Sequence, residues 1–126
     1  DVTPPATLRE MTANSKVQFF RASWIADYPD AENYLSLFYS NYFAPSGPNY
    51  THYKNSKFDK LYEQAIQIID DEQRYEAYRH LDSIVMDDSP AIVLYYDQVV
   101  RFVRKNVSGL QANPMNLLVL KTAKKK

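Results

Sequence analysis

Cysteine is absent from this chain of 126 residues, and glycine occurs only at Gly47 and Gly109. The lack of cysteine excludes disulfide frameworks, thiolate zinc sites, iron–sulfur clusters and thiol nucleophiles. Two glycines so far apart cannot form a glycine-rich phosphate-binding loop. Acidic and basic side chains number 15 each, so no net charge attracts nucleic acid. We therefore expect neither thiol chemistry nor a nucleic-acid partner.

Long hydrophobic runs are also absent. The longest, residues 91–96, is far shorter than the roughly 18 residues that a membrane-spanning helix needs. Hydrophobic residues nevertheless make up 45% of the chain and aromatic residues 14%. A chain of this length and composition suits one ordered domain, which buries about two-thirds of the surface of its unfolded state.

Two long amphipathic helices are predicted in the middle of the chain. Ser56 is predicted to precede the first helix as its cap, with Asp59 three residues later in an acidic variant of the capping box. Asp70 is predicted to cap the second helix, with Gln73 three residues on, and residues 88–90 to stop it. Apolar residues follow the i, i+3, i+4 spacing of helices at Phe58, Leu61, Tyr62, Ala65, Ile66 and Ile69, and then at Tyr75, Tyr78, Leu81 and Val85.

Two shorter helices are predicted closer to the N-terminus. Thr7 is expected to cap a helix over residues 7–11, and Asp30 a helix over residues 31–39. Residues 40–54 contain prolines, a glycine and asparagines, which predicts a long surface loop. The loop can pack against the rest of the domain through its aromatic side chains, which are Tyr42, Phe43, Tyr50 and Tyr53.

Strands are predicted at residues 17–24, 91–96 and 117–120, where β-branched and aromatic residues are enriched. The first of these is expected to be covered on most of both faces, because its polar and apolar residues only partly alternate. Turns are predicted at Ser108-Gly109 and Asn113-Pro114. Strands and helices in this order indicate a mixed α/β domain.

Asp27 is the strongest candidate for a functional residue. It follows an apolar predicted strand, lies close to Trp24 and precedes the bend at Pro29. In α/β folds, ligand crevices often form at the carboxyl ends of strands, where a carboxylate can contact the ligand. The alternative is that Asp27 only accepts hydrogen bonds from turn amides beside Asp30, as many turn residues do. The sequence alone leaves both interpretations open.

Other polar clusters have ordinary explanations. Residues 70–72 are acidic but lack the spacing of a calcium loop, so capping by Asp70 is the simpler interpretation. Asp88, at the end of the second long helix, is interpreted as solvated surface. His52 and His80 are too isolated to predict a metal site. A hydrolase using Asp27 with His52 is a formal alternative, but no G-x-S-x-G nucleophile elbow occurs, and no enzyme activity is expected.

Eleven tyrosines allow a different function, because tyrosine combines a large rigid face with a polar tip. The alternative function is therefore a stand-alone α/β protein-interaction module with a tyrosine-rich binding loop. The simpler explanation is that most tyrosines are half-buried on amphipathic helices, as the spacing of Tyr62, Tyr75 and Tyr78 suggests.

Five segments, read together, resemble a known family. Residues 21–35, R-A-S-W-I-A-D-Y-P-D-A-E-N-Y-L, are similar to the W-x-A-D-Y-P-D-P-x-N-F-L segment of oligopeptide- and dipeptide-binding proteins, although Ala31 replaces the usual proline. Further similar segments follow in the family's order at residues 53–61, 70–74, 88–96 and 109–114. The family comprises the extracellular solute-binding proteins of peptide ABC transporters.

This resemblance implies a C-terminal fragment of a two-lobed α/β protein, with a mixed sheet and two long amphipathic helices. Residues 1–112 would form the C-terminal portion of the second ligand-binding lobe. Residues 113–126 would return toward the first lobe and end in a basic tail. The implied location is periplasmic or extracytoplasmic, with a lipoprotein anchor in the missing N-terminal part.

The resemblance also implies a function and a site. A peptide would bind between the lobes and be delivered to an ABC transporter permease, without covalent chemistry, cofactor or metal; a nickel chelate, a sugar or glutathione stays open as the ligand. Asp27 would receive the α-ammonium group of the peptide, Trp24 would wall the pocket, and the backbone of Ile25 and Ala26 would pair with the peptide. In the parent protein, this segment would contact the rest of the chain. Prepared alone, the segment would self-associate.

Overall fold

Four helices and one pair of short strands make up the regular structure of the computed structural model, which describes residues 3–113 and 117–126. The elements are α1 (Pro5–Ala13), α2 (Glu32–Leu35), α3 (Ser56–Ala65), α4 (Asp71–Asp88), β1 (Val107–Ser108) and β2 (Lys124–Lys125). Turns of 3-10 helix occupy Ser36–Phe38 and Ser40–Tyr42. Within the described ranges, no helix has both the length and the hydrophobicity needed to cross a membrane.

The core lies between α3 and α4, as the two apolar stripes predicted. Three predicted members of the stripes, Ile66, Ile69 and Tyr75, are instead exposed, because α3 already ends at Ala65 and Tyr75 lies away from the core. Each helix turns its stripe toward the other, and side chains from α2 and the following turn complete the cluster. Its fully buried aromatic and aliphatic members are Phe58, Tyr62, Ala65, Leu81 and Val85. Phe58 and Tyr62 stack with their ring centroids 6.0 Å apart. Burial of such side chains supplies most of the stabilisation of a small domain.

The start of α3 differs from the prediction by one residue. Asn55, not Ser56, is the N-cap, because its side-chain oxygen accepts hydrogen bonds from the backbone N–H groups of Lys57 (2.8 Å) and Phe58 (3.2 Å). The predicted capping box is wrong as well. Asp59 accepts instead from the backbone N–H and the hydroxyl of Ser40 (3.1 and 2.7 Å), so it fastens the turn after α2 to α3.

The boundaries of α4 agree with the prediction. The Asp70 side chain accepts a hydrogen bond from the backbone N–H of Gln73 at 2.9 Å, which satisfies one of the free donors at a helix start. Ser89, in a left-handed conformation with φ of 50°, follows the last helical residue. The next residue, Pro90, cannot continue the helix hydrogen bonding.

Asp88 is exposed, as interpreted above, and it also joins the end of α4 to the start of α3. Its carboxylate accepts hydrogen bonds from the Tyr53 hydroxyl (2.5 Å) and the Asn55 side-chain amide (2.6 Å). The hydrogen bond from Tyr53, and to a smaller extent that from Asn55, holds the pKa of Asp88 below its usual value. Burial and the bond to Asp88 raise the pKa of Tyr53 to about 12.

The two shorter helices form with shifted limits. α1 begins at Pro5 without a side-chain cap, which the fixed φ of proline favours at a first helical position; the predicted cap at Thr7 is wrong. α2 has only four residues before the 3-10 turn begins. The N-cap of α2 is Ala31 and not the predicted Asp30, although the Asp30 side chain accepts a hydrogen bond from the Glu32 backbone N–H at 2.9 Å.

The loop over residues 40–54 is present as predicted and is organised by one buried side chain. The Asn49 amide donates to the backbone carbonyls of Tyr39 (3.1 Å) and Tyr53 (3.0 Å), while its oxygen accepts from the Thr51 hydroxyl (3.0 Å). Phe43 stacks on His52 with ring centroids 5.0 Å apart. These contacts give the loop a defined shape without strands.

The predicted strands at residues 17–24, 91–96 and 117–120 are wrong for the described residues, which form no strand there. A strand needs a neighbouring backbone to pair with, and pairing within the described part of the chain is limited to β1 with β2 and one isolated bridge between Phe43 and Asn49. The apolar side chains of these segments are consequently exposed; Tyr96, for example, is 89% accessible. Arg21 donates to the Tyr95 hydroxyl at 2.5 Å, which joins two of the segments by side chains alone.

The only sheet among the described residues is small and antiparallel, not mixed. Val107 pairs with Lys125 and Ser108 with Lys124. Gly109 follows with φ of +81°, and a Cβ there would lie 2.0 Å from the Thr122 carbonyl oxygen, so the predicted turn requires glycine. The turn predicted at Asn113-Pro114 extends outside the described residues. Helices with this sheet are compatible with the α/β class.

We predict that Leu81→Ala lowers the free energy of unfolding by about 2–5 kcal/mol, because it opens a cavity between α3 and α4. Leu81 is fully buried, whereas Ile69 is 93% exposed. Ile69→Ala is the matched control and should change stability by less than about 0.5 kcal/mol. Urea denaturation followed by circular dichroism measures both. Equal effects of the two substitutions would contradict the assigned core.

Candidate ligand-binding cleft

A cleft of about 480 Å³ lies beside α2. Its walls come from the irregular segment that precedes α2, from α2 with its following turn, and from the loop after that turn. The lining residues are Trp24, Asp27, Tyr28, Glu32, Asn33, Ser36, Tyr42, Ser46, Gly47 and Pro48. Two of the four predicted site residues, Trp24 and Asp27, therefore lie together in one cavity.

The other two predicted residues flank the cleft without lining it. The Ile25 side chain is 70% exposed, and that of Ala26 is partly buried. Within the described ranges, the backbone groups of both residues have no hydrogen-bond partner. Their predicted role concerned backbone pairing with an extended ligand, for which free N–H and C=O groups are the requirement.

Asn33 fixes the positions of Trp24 and Asp27, a role that the sequence reasoning missed. Its side-chain oxygen accepts hydrogen bonds from the Trp24 indole N–H (2.7 Å) and from the Asp27 backbone N–H (3.1 Å). Asn33 itself is only 3% exposed. A signal was present, because asparagine occurs in the motif quoted above, but its spacing from Trp24 and Asp27 gives no role without the fold.

Asp27 lines the cleft and is exposed. Among residues 3–113 and 117–126, no hydrogen bond or ion pair to its carboxylate is found, and its backbone N–H, not its side chain, bonds to Asn33. Glu32 is a second acidic residue of the lining, and no lysine, arginine or histidine among the described residues lines the cleft. Such a lining favours a positively charged group.

Glu32 is held by two tyrosines. Its two carboxylate oxygens accept hydrogen bonds from the hydroxyls of Tyr28 and Tyr62. Burial, and then the bond to Glu32, raise the pKa of Tyr62 well above its ordinary value. The same two causes raise the pKa of the more exposed Tyr28. Both phenols therefore stay protonated at neutral pH and donate to a charged carboxylate, which makes the bonds charge-assisted.

The part of the cleft wall that comes from the loop after α2 depends on a close backbone approach. Gly47 donates its N–H to the Phe43 carbonyl at 3.0 Å. A Cβ at Gly47 would lie 2.5 Å from the Tyr42 carbonyl oxygen, which is too short for any side chain. Glycine at this position lets the loop fold back so that Tyr42 lines the cleft.

A second hollow of about 530 Å³ shares Tyr28, Glu32 and Tyr42 with the cleft and extends toward the start of α4. It contains Arg74, whose guanidinium lies 2.7 Å from the Asp71 carboxylate and 3.6 Å from that of Asp30. Arg74 thus has two acidic partners of its own, Asp71 and Asp30.

The alternative chemistries find no geometric support in the described residues. His52 does not line the cleft with Asp27; its Nε2 lies 3.2 Å from the Ala13 carbonyl oxygen. Residues 3–113 and 117–126 contain no group of three or more side chains placed to hold a metal ion. Of the four tyrosines in the described α-helices, Tyr62 and Tyr78 are buried, whereas Tyr34 and Tyr75 are exposed, so the simpler explanation of the tyrosine content holds for only part of them.

Comparison with known proteins defines the class of this chain. It is 35% identical over 89 residues to the periplasmic oligopeptide-binding protein OppA of Salmonella typhimurium. It is 32% identical over 102 residues to the probable deoxycholate-binding periplasmic protein YgiS of Escherichia coli. It is 31% identical over 112 residues to a putative binding protein of Haemophilus influenzae. No family model matches the chain.

These matches cover 71%, 80% and 87% of this chain, but 16%, 18% and 21% of the respective relatives. The chain thus spans about a fifth of the length of the relatives it matches, as expected for a fragment. It belongs to the family of peptide-type extracellular solute-binding proteins, and the predicted resemblance is confirmed. The relatives are named as binding proteins, not as enzymes.

We predict that Glu32→Gln lowers the pKa of Tyr28 and Tyr62 without restoring the ordinary value. The hydrogen bond to the Glu32 carboxylate no longer raises the pKa of these tyrosines, whereas burial, the larger cause, remains. The native state binds these protons more tightly than the unfolded chain does. Stability present below the unfolded pKa is therefore lost as pH rises from that value to the raised native values. In Glu32→Gln this loss should begin at the same pH but end at a lower pH and be smaller in total, because only the native pKa values change.

Ultraviolet detection of phenolate during a pH titration measures the change. Glu72→Gln is the control, since it removes the same charge from an exposed position at the start of α4. Identical titration curves for Glu32→Gln and Glu72→Gln would contradict the arrangement around Glu32.

Proposed function

We propose that this chain is the C-terminal portion of the second lobe of a solute-binding protein that captures peptides and delivers them to an ABC transporter permease. Residues 1–112 belong to that lobe, and residues 113–126 return toward the first lobe. The parent protein works outside the cytoplasm, in the periplasm or anchored there as a lipoprotein. It performs no covalent chemistry, because capture needs only closure of the lobes around the ligand.

In this proposal, the Asp27 carboxylate binds the α-ammonium group of the peptide. The two charges form a charge-assisted hydrogen bond, which contributes about 1.5–3 kcal/mol when both partners leave water together. Trp24 forms a wall against the first residue of the peptide. The unpaired backbone of Ile25 and Ala26 pairs with the main chain of the ligand, and such pairing accepts many peptide sequences because it ignores side chains.

The observation that carries the proposal is the charge of the cleft. Asp27 and Glu32 both line it, and no cationic side chain does. The names of the relatives include an oligopeptide-binding and a probable deoxycholate-binding protein. Deoxycholate is an anion without an amine, and two carboxylates would repel it. A ligand with a free ammonium group fits this cleft better.

The exposed apolar segments support the fragment part of the proposal. Residues 92–103 and 117–120 present many accessible aliphatic and aromatic side chains, far more than isolated surface residues of an ordinary domain would. In the parent protein, the rest of the chain covers these segments and supplies the strands that pair with them. This accounts for hydrophobic runs of strand composition that remain irregular in the fragment.

We predict that Asp27→Asn in the complete parent protein weakens binding of di- to pentaalanine peptides by about 10- to 150-fold, the equivalent of one charge-assisted hydrogen bond. Isothermal titration calorimetry measures the dissociation constants. Asp82→Asn, an equal charge change at an exposed position of α4, should leave them unchanged.

Acetylation of the peptide amine provides the second arm of this experiment. N-acetylated peptides should bind weakly to the wild type and equally weakly to Asp27→Asn, because they lack the ammonium group. Equal affinity of free-amine peptides for the wild type and Asp27→Asn would refute the assigned role of Asp27.

We predict that the 126-residue chain, prepared alone, self-associates as its concentration rises. Phe102 and Tyr96 are 98% and 89% exposed, and burial of such surface drives association. Light scattering should show a mass that increases with concentration, and replacing both residues by serine should reduce the increase. A monomer that persists at high concentration would contradict the prediction.

A further inference from the structure

One side-chain oxygen holds both principal residues of the proposed site. Trp24 and Asp27 lie in an irregular segment that has no helix or strand of its own. The Asn33 Oδ1 atom accepts from the Trp24 indole N–H at 2.7 Å and from the Asp27 backbone N–H at 3.1 Å. A carbonyl oxygen has two lone pairs, so these two donors use its full capacity. Asn33 Oδ1 is therefore not available to a ligand.

The position of Asn33 is itself determined by the body of the fold. Its backbone N–H donates to the Asp30 carbonyl at 3.2 Å, and its carbonyl accepts from the buried Ser36 hydroxyl at 2.9 Å. Its neighbour Glu32 accepts a hydrogen bond from Tyr62 in the core. The side chain thus projects from a fixed point of α2 toward a segment that lacks regular structure.

We propose that Asn33 is a positioning residue for ligand binding. This role rests on the proposed function. Asn33 holds the Trp24 ring and the Asp27 carboxylate in the relative geometry that an ammonium ligand requires. Asn33 makes no ligand contact of its own. A site supported in this way keeps its geometry before the ligand arrives, which reduces the ordering cost of binding.

Asn33→Leu removes the acceptor with little change in volume, and it is the principal variant. Thr12→Val is the matched control, because it removes the hydrogen bond of a buried hydroxyl to the Leu8 carbonyl (2.8 Å) in α1, outside the cleft, and keeps both bonds to Asn33 Oδ1. Asn33→Asp keeps an acceptor oxygen and serves as the conservative rescue. Trp24→Phe removes only the indole donor and supplies a milder variant if Asn33→Leu does not fold.

Two readouts distinguish positioning from general stabilisation. Trp24 is the only tryptophan of the chain, so the emission and acrylamide quenching of the full 126-residue chain report its environment. In the complete parent protein, calorimetry with trialanine and N-acetyl-trialanine reports the preference for a free amine. Thermal unfolding of each variant separates these effects from a loss of stability.

We expect Asn33→Leu to shift the Trp24 emission to the red, to increase quenching and to weaken trialanine binding by about tenfold or more. Asn33→Asp should largely restore the emission, and Thr12→Val should change neither readout. Trp24→Phe should weaken trialanine binding less than Asn33→Leu. The preference for trialanine over its acetylated form should fall in Asn33→Leu.

Wild-type emission and quenching in Asn33→Leu, or the same changes in Thr12→Val, would overturn the inference. If the wild type does not bind trialanine, the proposed function fails for this ligand. The comparison of Trp24 emission between Asn33→Leu and Thr12→Val then still decides whether Asn33 holds this segment.

Discussion

The hydrogen bond from the Tyr62 hydroxyl to Glu32 joins the helical core to everything that forms the cleft. Tyr62 is fully buried between α3 and α4, and its phenol would be costly to bury without a partner. Glu32 supplies that partner and thereby fixes α2 against the core. From α2, the neighbouring Asn33 holds Trp24 and Asp27. The geometry of the cleft therefore depends on satisfying one buried tyrosine hydroxyl.

Among the described residues, two acidic residues and no cationic side chain line the cleft. Tyr28 and Tyr62 donate hydrogen bonds to the Glu32 carboxylate, whereas no such bond to the Asp27 carboxylate occurs within residues 3–113 and 117–126. A carboxylate in water is well solvated, but it loses that solvation when a cleft closes around it. In the proposed function, a ligand ammonium group that enters with closure replaces the lost solvation. In that proposal, selectivity for an ammonium group follows from the carboxylate that the fold leaves unpaired.

Local signals predicted those parts of the fold that local interactions determine. The apolar spacing and the Asp70 cap located α4, and the bend after Trp24 drew attention to Asp27. The strand predictions failed because hydrogen bonding of a strand is decided by distant backbone, which residues 17–24 and 91–96 do not find here. Asn33 was missed for a related reason. Its bonds reach nine and six residues back along the chain, and only the folded turn brings these groups together.

A crystal structure of the complete parent protein with a bound peptide tests the central claim most directly. The measured quantity is the distance from the terminal nitrogen of the peptide to the Asp27 carboxylate oxygens. We expect a distance of about 2.7–3.2 Å, within hydrogen-bond range, with the Trp24 indole still bonded to Asn33. A peptide amine bound elsewhere, with Asp27 facing bulk water, would contradict the account.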